Sequence, residues 1–184
     1  ADSSSISPIK TNAKAAYSME FETETPLLSE NETERLAIAS MCKIMTLLLC
    51  FEEIDCGNLS MDEQIVVSDN ASGMGGSQVF LETNGEYSVG ELVKSIVVAS
   101  ANDACVAMAE RIAGSEQAFV ELMNCKAKEL GLDNTYFVNC TGLPKPGQYS
   151  CAKDVAVMFS ELINHKEYFN FSTIWMDKIE HPKD

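Results

Sequence analysis

Ser40, Met41, Cys42 and Lys43 place a hydroxyl and an amine one helical turn apart, at the head of an otherwise apolar run that reaches Phe51. Residues three apart share a helix face, and a helix apolar on nearly all sides is a buried one. An amine in such a place costs free energy unless something uses it. Desolvation favours the neutral form of a lysine, and a neutral amine can take a proton from a neighbouring hydroxyl. The residue types and their spacing therefore suit a serine nucleophile that carries its own base. The plain alternative for Ser40 is an ordinary helix N-cap.

Ser-x-x-Lys also occurs at Ser7 to Lys10 and at Ser150 to Lys153. The first contains Pro8 and lies in a serine-rich leader, the usual composition of a mobile terminus. The second opens a polar helix, where Ser150 reads as an N-cap. A second chemical feature singles out Ser40 further. Ser100-Ala101-Asn102 is a short polar break between two apolar helical patterns, a position that presents side chains at a helix end. The same Ser-x-Asn spelling recurs at Ser29 and at Ser68. Ser68-Asp69-Asn70 follows the strand-like Ile65-Val66-Val67 and precedes Gly73-Met74-Gly75-Gly76, so it reads as loop.

The elements that must position these groups follow from periodicity. Residues 13–20 and 26–29 read as a strand pair, and 63–67 as a short strand. A helix beginning at Ser40 runs to a stop near Gly57-Asn58. A flexible loop over 70–78 could edge the site. Helices follow at 88–98, 102–113, 115–130 and 150–164, punctuated by Gly114 and Gly131. The result is two N-terminal strands followed by a mainly helical block, behind a flexible leader over 1–12.

Four collinear segments carry a resemblance. Ile38-Ala39-Ser40-Met41-Cys42-Lys43-Ile44-Met45-Thr46 resembles P-A-S-x-T-K-x-M-T, with Ile38 and Cys42 departing from it. The stretch from Ser100 through Asn102, Asp103 and Ala104 is similar to S-G/A-N-D-A. Gly131-Leu132-Asp133-Asn134-Thr135-Tyr136-Phe137 is similar to G-L-x-N-T-x-F, and Gly147-Gln148-Tyr149-Ser150 with Ala152 and Asp154 to G-Q-Y-S-x-A-x-D. These are motifs of the serine D-alanyl-D-alanine carboxypeptidases, the low-molecular-mass penicillin-binding proteins.

The resemblance implies an α+β fold of the β-lactamase/DD-peptidase type, with an antiparallel sheet flanked by helices and a mainly helical subdomain. It implies Ser40 as nucleophile toward the penultimate D-alanine of a peptidoglycan stem peptide, and Lys43 as its base. Ser100 would relay a proton to the leaving amine, Asn102 would hold the substrate amide, and the Ser40 N–H would be half of an oxyanion hole. β-Lactams would acylate Ser40 as substrate mimics. No cofactor or metal is implied. The group also carries a third motif, K-T-G, and none occurs here; Lys145-Pro146-Gly147 sits in a turn. The expectation is that residues 13–184 form an incomplete catalytic domain, whose C-terminal strands belong to a remainder of the same protein carrying K-T-G. Two rivals stay open: a class A-like β-lactamase, for which Glu161 is a superficial water-activating candidate, and a non-catalytic peptidoglycan- or antibiotic-sensing module.

Composition narrows the partners. A net charge of −15 opposes binding to nucleic acid or to anionic lipid. No apolar run is long enough to span a bilayer, and the resemblance implies an extracytoplasmic home, secreted or peripherally anchored through a segment outside this chain. Seven cysteines without a C-x-x-C argue against a zinc or redox site. Cys42, Cys50, Cys105 and Cys125 fall in helical patterns and read as small hydrophobes. His165 and His181 stand apart from any serine in a nucleophile setting, which disfavours a Ser-His-Asp triad.

Overall fold

The computed structural model describes residues 11–182. All but the last two residues of the expected leader, and the Ser7 to Lys10 spacing, lie outside the described residues. Strand β1 (Ala16–Met19) pairs antiparallel with β2 (Pro26–Glu30), Tyr17 opposite Ser29, with a bulge between Ser18 and Met19. A 3-10 turn (Ala39–Cys42) leads into α1 (Lys43–Asp55). A second hairpin, β3 (Gln64–Val66) with β4 (Glu86–Ser88), brackets the one-turn helix α2 (Asp69–Ser72) and the loop after it. Helices α3 (Val89–Ala99), α4 (Asn102–Ala113), α5 (Glu116–Glu129) and α6 (Ala152–Asn164) follow, with a short α7 (Phe169–Ser172).

Helix α1 is the centre of the molecule. Met45, Leu48, Cys50 and Phe51 are sealed from solvent, and the helix touches α3, α4, α5 and α6. Each such Leu or Phe side chain is worth roughly 1.5–3 kcal/mol of transfer free energy. Helix α4 is the second buried rod, with Ala104 to Ala109 inaccessible or nearly so. The surrounding helices start where their caps dictate. Ser88 and Glu91 form a reciprocal capping box, Ser88 Oγ accepting from Glu91 N at 3.2 Å and Glu91 Oε2 accepting from Ser88 N at 2.8 Å. Ser115 Oγ caps α5 through Ala118 N at 3.1 Å.

The α+β expectation and the five long helices hold, and several local readings need correction. The long helix begins at Lys43 and not at Ser40, because the chain first makes a tighter turn. Ser150 is not an N-cap. It forms a bridge with Leu36, and the cap of α6 is Cys151, whose Sγ accepts from Asp154 N at 3.5 Å. Ser68-Asp69-Asn70 is not loop but the start of α2, with Ser68 Oγ accepting from Ala71 N at 3.0 Å. Cys125 is exposed on α5 and so is no core residue, whereas Cys42, Cys50 and Cys105 are buried.

Candidate active site

Ser40 lies exposed on the 3-10 turn, immediately before the buried end of α1. The N-cap reading fails on geometry: the residues at the cap positions are Ile38 and Cys42, and neither makes a side-chain cap bond. The turn needs Ala39 at φ +44°, in the left-handed region, a cost that the surrounding packing must meet. Gly142 supplies that packing. A Cβ on it would overlap the Ala39 carbonyl and lie 3.0 Å from Ser40 N, and its own φ is +84°. Only glycine lets the two backbones approach so closely.

Lys43 is 4% exposed. Its Nζ donates to the Thr141 carbonyl at 2.5 Å, and among the described residues no carboxylate pairs with it. Two more α1-end side chains grip the same loop. Thr46 Oγ1 donates to the Cys140 carbonyl at 2.7 Å, and Cys42 Sγ to the Asn139 carbonyl at 3.3 Å. Three successive carbonyls therefore receive three donors from one end of α1. The loop is itself braced: Asn139 Oδ1 accepts from Gly142 N at 2.8 Å, and Gln148 Oε1 from Val138 N at 2.8 Å and Asn139 N at 3.0 Å. Lys43 is thereby fixed by a backbone carbonyl, one turn after an exposed hydroxyl.

Ser100 caps the C-terminus of α3 in the left-handed conformation, φ +54°. Its Oγ is buried and, among the described residues, has no hydrogen-bond partner. Buried hydroxyls are nearly always paired, so an orphan calls for an explanation. Asn102, at the first turn of α4, is buried; its Nδ2 donates to Gly75 O and its N to Ser77 O, both at 2.7 Å. A Cβ on Gly76 would fall 2.8 Å from Asn102 Nδ2 and 3.2 Å from Leu143 Cδ2. The Asn102 amide, the glycine loop and Leu143 thus adjoin, and Leu143 directly follows the Gly142 that packs on the Ser40 turn.

Three contributors were given no role from the sequence. Thr141 acts through a carbonyl, which has no sequence signature. For Gly142 the available signal was the dense Asn139, Thr141, Gly142 cluster. Asp103 is fully buried and accepts from Val79 N at 3.1 Å, Leu81 N at 3.0 Å and Ala104 N at 2.9 Å, so it anchors the loop that faces Asn102. The thiols around the site are withdrawn from chemistry. Burial pushes Cys42 and Cys50 up to about 12, and Cys105 and Cys140 well above the ordinary thiol range.

Two of the other copies, at Ser68 and at Ser150, are used for structure. Ser68 caps α2, and Asn70 Nδ2 donates to Glu110 Oε1 at 2.9 Å on the exposed face. Ser150 Oγ is 2.7 Å from Thr135 Oγ1, which donates to Asp154 Oδ2 at 2.8 Å.

Residues 2–182 match the Peptidase S11 family model, described as D-alanyl-D-alanine carboxypeptidase. The chain belongs to this family. It is 46% identical over 183 residues to the D-alanyl-D-alanine carboxypeptidase DacF of Bacillus subtilis, an alignment covering 100% of this chain and 47% of DacF. The structure is similar to that of the D-alanyl-D-alanine carboxypeptidase DacD from Francisella tularensis, with a TM-score of 0.88, 40% identity, and coverage of 90% of this chain and 40% of that one. It is also similar to penicillin-binding protein D2 from Listeria monocytogenes in its ampicillin-bound form, with a TM-score of 0.78, 29% identity, and coverage of 90% of this chain and 67% of that one. The fold is that of the DD-peptidases and penicillin-binding proteins. The chain spans about half the length of the curated carboxypeptidases it matches.

Proposed function

We propose that the protein is a serine-type D-Ala-D-Ala carboxypeptidase acting on peptidoglycan stem peptides through a Ser40 acyl-enzyme. The observation that carries this reading is the Ser40–Lys43 turn: an exposed hydroxyl that caps neither helix start, followed by a buried amine that, among the described residues, bonds a backbone carbonyl and no carboxylate. The N–H donated to Thr141 O fixes the amine, and in the neutral form its lone pair is left for the Ser40 proton.

Ser40 Oγ attacks the carbonyl carbon of the penultimate D-alanine as its proton passes to Lys43 Nζ. The peptide C–N bond then breaks. The orphaned Ser100 hydroxyl is the relay that returns the proton to the nitrogen of the departing D-alanine, and Asn102 holds the substrate amide. Water hydrolyses the ester and restores Ser40. The Ser40 N–H stabilises the developing oxyanion, with a second donor on a strand that carries K-T-G.

That strand belongs, in this reading, to a C-terminal remainder of the same protein. Support comes from the half-length match to the relatives and from the N-terminal sheet. Among the described residues β1 has β2 as its one neighbour, and an apolar groove of about 340 Å³ runs beside it, lined by residues that include Tyr17, Leu36, Ile38, Met41 and Val155. An open edge beside an apolar groove is a surface that native proteins cover. β-Lactams are inhibitors that acylate Ser40, as the ampicillin-bound neighbour suggests. The proposed location is extracytoplasmic, at the cell envelope. The five buried thiols are compatible with an oxidising compartment because they are inaccessible.

The test is release of D-alanine from a peptide ending in Lys-D-Ala-D-Ala by the full-length protein and by residues 1–184. The expected result is release by the former alone, with a long-lived penicillin adduct. Rapid penicillin turnover without D-alanine release would transfer the protein to the β-lactamases, and equal activity of the two polypeptides would remove the need for a K-T-G strand.

A further inference from the structure

Ser100 holds a conformation that a residue with a Cβ does not choose, and its buried hydroxyl makes no bond that offsets the cost. Such a residue persists only where its surroundings over-determine it. On one side the start of α4 does this: Ala101 is buried and its N donates to Ser95 O at 3.3 Å. On the other side the segment that follows α7 lies along the last turns of α3. Lys94 Nζ pairs with Asp177 at 2.9 Å and reaches the Lys178 carbonyl at 3.5 Å. Ile179 packs against the core, and with Asp177 and Lys178 it lines one small cavity together with Val79, Lys94, Ser95, Val98 and Ala99. His181 Nδ1 lies 3.0 Å from the Tyr87 hydroxyl, which also accepts from Glu82 N at 3.1 Å.

These tie-points fall on elements that end at the site. Val98 and Ala99 directly precede Ser100. Val79 sits in the loop that Asp103 anchors over Asn102. Tyr87 is on β4, the strand that runs into the cap of α3. We infer that residues 177–181 form a strap that positions Ser100 and the 79–81 loop for the reaction, with Lys94, Asp177 and Ile179 as positioning residues. This rests on the carboxypeptidase reading for its consequence but not for its geometry. The apolar contact of Ile179 is the main grip. The Lys94–Asp177 pair is partly exposed and sets register more than strength.

The test uses the full-length protein and two readouts. In Ile179→Ala, amide hydrogen exchange at residues 99–103 should rise about tenfold as the strap opens locally. Its penicillin acylation rate should fall about fivefold to tenfold, less than the ~10²-fold cost of an ~1 Å misplacement. Because that variant removes core contact, Lys94→Asp and Asp177→Lys are made singly and together. Each single change should raise exchange at 99–103, and the double reversal should restore it. His165→Ala is the control. It breaks the His165–Asp55 pair at the far end of α1 and should move neither readout. Unchanged exchange at 99–103 in Ile179→Ala and in both single charge variants would overturn the strap. Raised exchange with an unchanged acylation rate would overturn its positioning role. If the parent protein takes no penicillin on Ser40, raised exchange still supports the strap, and the carboxypeptidase reading alone fails.

Discussion

Ser68-Asp69-Asn70 and Ser100-Ala101-Asn102 share a spelling and differ in what the fold does with it. Ser68 spends its hydroxyl on the Ala71 amide, and Asn70 spends its side chain on Glu110 at the surface. The Ser100 Oγ is buried at a helix end with no partner among the described residues, and Asn102 is buried facing a glycine loop. The first triplet is satisfied and the second is poised. Local hydrogen bonding stabilises a residue and also uses it up. A group retained for chemistry shows itself as a polar atom that structure has left unspent. Ser40 and Lys43 belong to the second kind. Ser40 sits on a helix approach without capping it, and Lys43 is buried without a paired carboxylate among the described residues.

The contrast can be pressed hardest at Lys43. Lys43→Met keeps much of the volume and removes the amine, and loss of a positioned base costs typically about 10²–10⁴-fold in rate. Penicillin acylation of the full-length protein, followed by stopped-flow or gel fluorescence, should fall by that order. A drop under about threefold with intact circular dichroism would return Lys43 to a purely structural role.

The next effect separates the twin triplets directly. Ser100→Ala should slow acylation by about 10²-fold, the lower end for a proton-transfer group, with little loss of stability because no bond is broken. Ser68→Ala should do the reverse, costing about 1 kcal/mol as a lost N-cap and leaving acylation unchanged. Urea midpoints and acylation rates measured on both variants give a crossed pattern if the assignment is right. Parallel losses in both readouts would erase the distinction.

Much of this was legible in the chain. The long helices follow from apolar spacing, and Ser88 with Glu91 or Ser115 marks their starts. The four proposed site residues were readable because they bracket apolar helices. What was not legible acts through backbone or through short elements. The Thr141 carbonyl that holds Lys43 could belong to any residue type. Strand β4 has three residues, too few for an alternating pattern to declare itself. The tight turn that carries Ser40 ahead of α1 depends on Gly142, about a hundred residues away, and no local propensity encodes that contact. Cys125 read as core because it falls in a helical pattern, but it is exposed on α5.

The smallest expected effect concerns the thiols. Iodoacetamide at pH 8 should modify Cys56 and Cys125 alone in the native protein, since the other five are buried and burial holds Cys42 and Cys50 near 12. The folded protein keeps these protons while the unfolded chain releases them from about pH 9, so stability is full below that pH and declines as pH rises toward 12. Native-state mass spectrometry and alkaline unfolding curves check both. Ready alkylation of Cys42 would mean that the Ser40 turn opens far more often than its packing implies.

The central claim is that Ser40 is the acylation site. Its most direct test is peptide mapping of the full-length protein after brief exposure to a labelled penicillin. The account places the whole covalent label on the tryptic peptide containing Ser40, and Ser40→Ala should abolish it without changing the circular dichroism spectrum. A label on the peptide containing Ser68 or Ser150, or labelling that survives Ser40→Ala, would contradict it.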